Sequence, residues 1–212
     1  LLGVEACGLD ALVDDRLDAV DHRDDAENAR HLDARKQTGA QDDAALQVVS
    51  HLQCEEEQGG GNSENDDGHE QAGMGVAVAD YDCDGWFDIF KTNFVDDTCN
   101  LYHNNGDGTF TDVTSPSGIG VNNRYVAWGC GFIDYDNDGW KDILQVNGHV
   151  YPEVDRYNFG ESFKNPRLVY KNLGNGTFKD VSAEMGPGIS ERFSSRGAAF
   201  GDYNNNGSMD AV

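Results

Sequence analysis

The first 70 residues contain no Phe, Trp, Tyr, Ile or Pro, and every aromatic side chain of the protein lies beyond Gln71. A stretch so poor in large apolar groups cannot bury enough surface to offset its chain entropy. Positive charge is scarce as well: 15 Lys and Arg stand against 39 Asp and Glu, a net charge of −24. That balance excludes nucleic acid as a partner, because a phosphate backbone requires a basic face. It is compatible with metal cations and with a cationic partner. No run of eighteen apolar residues occurs, so no membrane span is expected in this fragment. Gly-x-Ser-x-Gly, His-Glu-x-x-His and phosphate-loop motifs are all missing. The five cysteines, Cys7, Cys54, Cys83, Cys99 and Cys130, lack metal-finger spacing. They read as unpaired thiols, with a Cys83–Cys99 bridge as the alternative.

Residues 1–70 carry 19 acidic and 5 basic side chains. Leu9, Leu12, Val13, Leu17 and Val20 have helical spacing, as do Ala45, Leu46, Val48, Val49 and Leu52. The run from Gly59 to Gly68 reads as a flexible linker. The expectation is a poorly ordered or loosely helical acidic segment. The chain opens at Leu1 and stops within an apolar run at Ala211-Val212, so it reads as a piece of a longer protein.

Beyond residue 70 the sequence is organised by one recurring stretch. Asp134-Tyr135-Asp136-Asn137-Asp138-Gly139-Trp140-Lys141-Asp142 places carboxylates at positions 1, 3, 5 and 9 of a tight loop, with glycine at position 6. Alternate side chains of a curled loop point at one centre, and glycine takes the sharp turn. Asp80, Asp82, Asp84 and Asp88 repeat the set, and Asp202, Asn204, Asn206 and Asp210 form a weaker copy. Four crowded carboxylates call for a hard, oxygen-seeking cation, and calcium tolerates such irregular oxygen sets best. An EF-hand fails because its position-12 glutamate would fall at Lys91 and Gln145. The plainer alternative is that Asp and Gly only shape turns, with no metal.

Short apolar runs flank the loops. Asn100–Asn104 and Thr109–Val113 bracket an Asn/Gly/Asp turn, and Arg167–Asn172 and Thr177–Val181 echo them, so each unit ends in a β-hairpin. Each repeat is therefore four short strands with the Asp loop joining the first two. Such a pattern is expected of a β-propeller. A calcium-threaded array of the thrombospondin type 3 kind is excluded by the long strand-like stretches between loops. The fold expected is all-β, a partial β-propeller of four-stranded blades over residues 71–212, with about two blades and the start of a third. The insert 147–163 brings His149, Tyr151, Glu153, Asp155, Arg156 and Tyr157, a mixture suited to binding, but taken alone it reads as a plain loop. His103, His149, Glu153, Arg156 and Arg196 are the candidates an enzyme would use, and no catalytic motif unites them. A non-enzymatic protein is expected.

The Asp-x-Asp-x-Asp-Gly-x-x-Asp stretches at 80–88 and 134–142, the weakened copy at 202–210, Phe200-Gly201, and the two hairpin phrases at 101–113 and 170–181 resemble the FG-GAP/VCBS repeats of integrin-α-like propellers. The hairpin phrases further resemble bacterial relatives of cartilage acidic protein, a group that often carries an ASPIC/UnbV domain. The resemblance covers 72–212 and implies that Asp80, Asp82, Asp84 and Asp88 hold one calcium and Asp134, Asp136, Asp138 and Asp142 a second. Asp202, Asn204, Asn206 and Asp210 would hold a third more weakly. The backbone carbonyls at Trp86, Trp140 and Ser208 would be further ligands. It also implies a secreted, periplasmic or cell-surface module that binds a protein or glycan.

Overall fold

The structure, a computed structural model, describes residues 71–157 and 162–212 together with the backbone of Ser63–Glu64 and Glu70. The helical patches expected within 1–52 lie outside the described residues. Strands β1 (Ser63–Glu64) and β2 (Glu70–Gln71) pair antiparallel, so some strand pairing enters the stretch read as linker.

Two four-stranded antiparallel sheets follow. The first is β3 (Gly73–Ala79), β4 (Asp88–Asn93), β5 (Asn100–Asn104) and β6 (Phe110–Asp112), paired in chain order. A short helix α1 (Thr114–Ser117) and a 3₁₀ turn lead to the second sheet. It comprises β7 (Ala127–Ile133), β8 (Asp142–Asn147), β9 (Leu168–Asn172) and β10 (Phe178–Asp180), again in chain order. A second short helix, α2 (Pro187–Ser190), precedes a third pair, β11 (Phe200–Gly201) and β12 (Asp210–Ala211). Both expected hairpins form, as β5–β6 and β9–β10. The described strands do not close a ring.

The second strand of each sheet is buried along its whole length, β4 as Asp-Ile-Phe-Lys-Thr-Asn and β8 as Asp-Ile-Leu-Gln-Val-Asn. One core cluster joins the two sheets: Ala77, Tyr81, Phe90 and Leu101 pack with Ile143, Leu168, Tyr170 and Phe178. Tyr81 meets Phe178 at 5.5 Å between ring centroids, and Phe90 meets Phe132 edge-on at 6.4 Å. A second cluster sets Ile133, Leu144, Val146 and Val169 against Ala198 and Phe200 of the third repeat. Each sheet thus buries a face against the next, which is how repeat architectures obtain a core.

The close approach has a specific cause. The β3–β4 and β7–β8 ladders carry the same register irregularity, at Gly73/Val76 and Ala127/Cys130. Gly75 lies in the first and Gly129 in the second. A Cβ on Gly75 would stand 2.2 Å from the Trp128 carbonyl oxygen, and one on Gly129 would stand 2.8 Å from the Ala198 nitrogen. The Thr92 hydroxyl donates to the same Trp128 carbonyl at 2.6 Å. Backbone thus faces backbone across the sheets, and side chains larger than hydrogen are excluded there.

Replacing Gly75 by valine is expected to destabilise the protein by about 2–3 kcal/mol, because a rigid backbone carbonyl must move. Gly188→Ala, at a site with open space around it, should stay within about 0.5 kcal/mol of the parent. Urea midpoints of the two variants check this, and equal midpoints would count against the packing account.

Candidate metal centres

The three Asp loops share one wiring. In the first, Asp80 accepts from the Asp84 N–H (Oδ1, 3.1 Å) and the Gly85 N–H (Oδ2, 3.0 Å). Asp134 accepts equivalently from Asp138 and Gly139, each at 3.0 Å. Asp202 accepts from Asn206 (3.0 Å) and Gly207 (2.7 Å). The position-5 side chain then accepts from the position-7 N–H: Asp84 from Trp86, Asp138 from Trp140, and Asn206 from Ser208. Position 4 has positive φ throughout, 63° at Cys83, 57° at Asn137 and 56° at Asn205. Asn tolerates that conformation well, which explains its place there in two of three loops.

The position-9 aspartate links three parts of each sheet. Asp88 is buried, and it accepts from the Tyr81 N–H at 3.2 Å and from the Asn104 N–H on β5 at 2.9 Å. Asp142 does the same with Tyr135 (3.2 Å) and Asn172 on β9 (2.8 Å). Burial raises the Asp88 carboxyl to about 7 and the Asp142 carboxyl to about 6, outweighing the backbone N–H groups that favour the charged form. Burial and neighbouring Asp84 also raise Asp82.

Carboxylate oxygens of Asp80, Asp82 and Asp88 lie within 4.8 Å of one another, as do those of Asp134, Asp136 and Asp142. Asp84 groups with Asp82 and His103 within the same distance, whereas Asp138 belongs to the second loop but to none of these groups. The third loop offers only Asp202 and Asp210 as charged groups and is largely exposed. A residue that the sequence offered only as an enzyme candidate enters here. His103 on β5 puts Nδ1 3.2 Å from Asp82 and 3.3 Å from Asp88, and that buried nitrogen has no hydrogen-bond partner. The three converging carboxylates fit a hard divalent cation, which takes oxygen ligands, and the imidazole stands beside them rather than among them.

At the matching position of β9 stands Lys171. Its ammonium pairs with Asp136 and, at 2.9 Å, with Asp138. These carboxylates raise the lysine, and the lysine and the Trp140 N–H lower Asp138 despite its partial burial. The second loop therefore contains its own counter-charge, where the first has an imidazole. The approach of either residue to its Asp loop was not legible in the sequence, since both sit in ordinary strand alternation away from the loops.

Trp86 and Trp140 roof the hairpin turns: a Cβ on Gly106 would lie 2.8 Å from the Trp86 indole nitrogen, and one on Gly174 would lie 2.8 Å from the Trp140 ring. Of the enzyme candidates, His103 belongs to the first Asp loop, whereas His149 and Glu153 sit in the β8–β9 connection at the other strand ends. Arg196 donates to the His149 and Gly148 carbonyls and stacks on Trp128 at 4.6 Å, and Arg156 is exposed. These five groups do not converge. Cys99 and Cys130 are free thiols, so the Cys83–Cys99 bridge does not form. Cys83 is itself disulfide-bonded, against the expectation of a free thiol.

Residues 93–144 match the family model of the FG-GAP-like repeat. The match begins at the end of β4, takes in the first hairpin, and ends within β8 after the second Asp loop. No curated protein matches the chain.

In chelator the folded Asp88 and Asp142 carboxyls titrate near 7 and 6, against 3.8 for an unperturbed aspartate. Between pH 4 and 7 the folded form therefore binds more protons than the unfolded one, and stability is expected to fall as pH rises across that window. Asp88→Asn should flatten the slope. Urea midpoints at several pH values check it, and a midpoint that rises from pH 4 to 7 would contradict the assignment.

Proposed function

We propose that this is a calcium-stiffened β-propeller repeat module, non-enzymatic, exported from the cytoplasm, whose blade loops bind a protein or glycan. The observation that carries it is the identical wiring of three Asp loops, two of them with converging carboxylates. Calcium would be held by Asp80, Asp82, Asp84 and Asp88 in the first loop and by Asp134, Asp136, Asp138 and Asp142 in the second, with the carbonyls of Trp86 and Trp140. Asp202, Asn204, Asn206, Asp210 and the Ser208 carbonyl form a weaker third set, since two neutral amides halve its charge. Bound calcium would supply the positive charge that lets the buried Asp88 and Asp142 stay ionised. It would thereby tie strand 2, loop and strand 3 together. Sites of modest affinity, on the order of 10⁻⁴ to 10⁻³ M, fill at extracellular calcium and support secretion or surface display. The closer affiliation with cartilage-acidic-protein-like, ASPIC/UnbV-associated proteins rests on the hairpin phrases at 101–113 and 170–181. The scatter of His103, His149, Glu153, Arg156 and Arg196 supports a binding rather than a catalytic role.

Calcium is expected to raise the melting temperature of the parent protein, and Asp82→Ala should remove most of the first loop's share while changing little in chelator. Equal destabilisation in calcium and chelator would count against a metal role. Lys171→Met should tighten calcium binding at the second loop by about fivefold, since a competing cation is removed at a contact of order 1 kcal/mol. Thermal melts with calcium and with chelator read the first and calorimetric titration the second, and unchanged affinity in the lysine variant would mean that Lys171 does not compete.

A further inference from the structure

An open cleft of about 480 Å³ lies at the strand ends opposite the Asp loops, between the segment after β4 and the segment after β8. Its lining includes Phe94, His149, Tyr151, Glu153, Val154 and Tyr157. Phe94, His149 and Tyr151 stand in a row, with ring centroids 6.3 and 6.0 Å apart and planes inclined by 56° and 54°. Tyr151 and Tyr157 are exposed, whereas Val154 beneath them is buried.

The cleft is braced. Asp155 accepts from the Ser162 hydroxyl (3.0 Å) and the Phe163 N–H (2.9 Å), and the Phe163 carbonyl accepts from the His149 N–H (3.0 Å). Arg196 holds the His149 carbonyl at 2.9 Å. His149 Nδ1 accepts from the Tyr151 N–H at 3.1 Å, which ties the two neighbouring rings to one turn of backbone.

We propose that this cleft takes the trimethylammonium group of a methylated lysine carried by a basic partner protein. Among the described residues the lining offers aromatic rings and one carboxylate, Glu153, with no Lys or Arg. A sugar would leave several hydroxyls short of partners, a guanidinium has five donors to satisfy, and a primary ammonium has three. A quaternary ammonium has no donors. Its charge is spread over methyl groups that pack on ring faces, with added attraction from Glu153. The source follows from charge: a chain of net charge −24 attracts a basic segment. A phosphocholine headgroup would bring its phosphate against the Glu153 carboxylate. The proposal deepens the partner-binding half of the function above and rests on it, but it does not depend on the Asp loops.

The test is calorimetric titration of the full chain with a capped basic peptide carrying trimethyllysine, against the same peptide with unmodified lysine and with a carbon-for-nitrogen neutral isostere. The trimethyllysine peptide is expected to bind about tenfold tighter than either comparison peptide. Tyr151→Ala and Glu153→Gln should each weaken it several-fold without changing the melting temperature. Equal affinity for the neutral isostere, no binding of any peptide, or tighter binding to phosphocholine vesicles or an oligosaccharide would overturn it. Melting with and without calcium on the same samples keeps the two readings separate. A calcium response without peptide binding sinks only this proposal, and peptide binding without a calcium response sinks only the metal reading.

Discussion

The structure depends on a carboxylate placed where water cannot reach it. Asp88 and Asp142 end their loops inside the protein, and each takes one N–H from the loop's second residue and one from the third strand. Three segments that are separate in sequence are thereby fixed to one side chain. The same burial disfavours the negative charge that makes the aspartate a good acceptor. Relief comes from neutralisation, by a proton or by a cation. Folding and the protonation of these two carboxylates are therefore two sides of one electrostatic balance.

The two full loops meet that balance differently. In the second, the Lys171 ammonium already faces Asp136 and Asp138. In the first, His103 presents an unpartnered nitrogen to Asp82 and Asp88. Two repeats with nearly the same loop sequence thus differ in the group that a neighbouring strand sets against the carboxylates, an imidazole in one and an ammonium in the other. The third loop keeps the backbone pattern with two amides in place of acids, which shows that the turn geometry itself does not require four charges.

The loops and hairpins were legible in the sequence because they are local: the spacing of Asp and Gly, and the alternation around Asn105–Gly108 and Gly174–Gly176, act within a few residues. The pairing of four strands per sheet followed from the same signals. What stayed hidden depends on distance. His103 and Lys171 reach the loops only once β5 and β9 pair with their neighbours. The lead-in glycines Gly75 and Gly129 are visible in the sequence, but their contact with Trp128 and with Ala198 is a property of sheet stacking. The insert 147–163 read as a plain loop because its aromatic residues gain a shared wall only through Phe94, which lies more than fifty positions earlier.

The Asn172 side chain donates both to Lys141 in its own sheet and, at 2.8 Å, to the Tyr81 carbonyl in the first Asp loop. One amide therefore spans the seam between repeats and touches the segment whose shape an ion would set. Order gained in one repeat would thereby be felt in its neighbour through a shared hydrogen bond. In a row of such units, ion occupancy should spread as correlated domains along the array, in the manner of coupled spins, and a single faulty loop would be felt most by the units adjoining it.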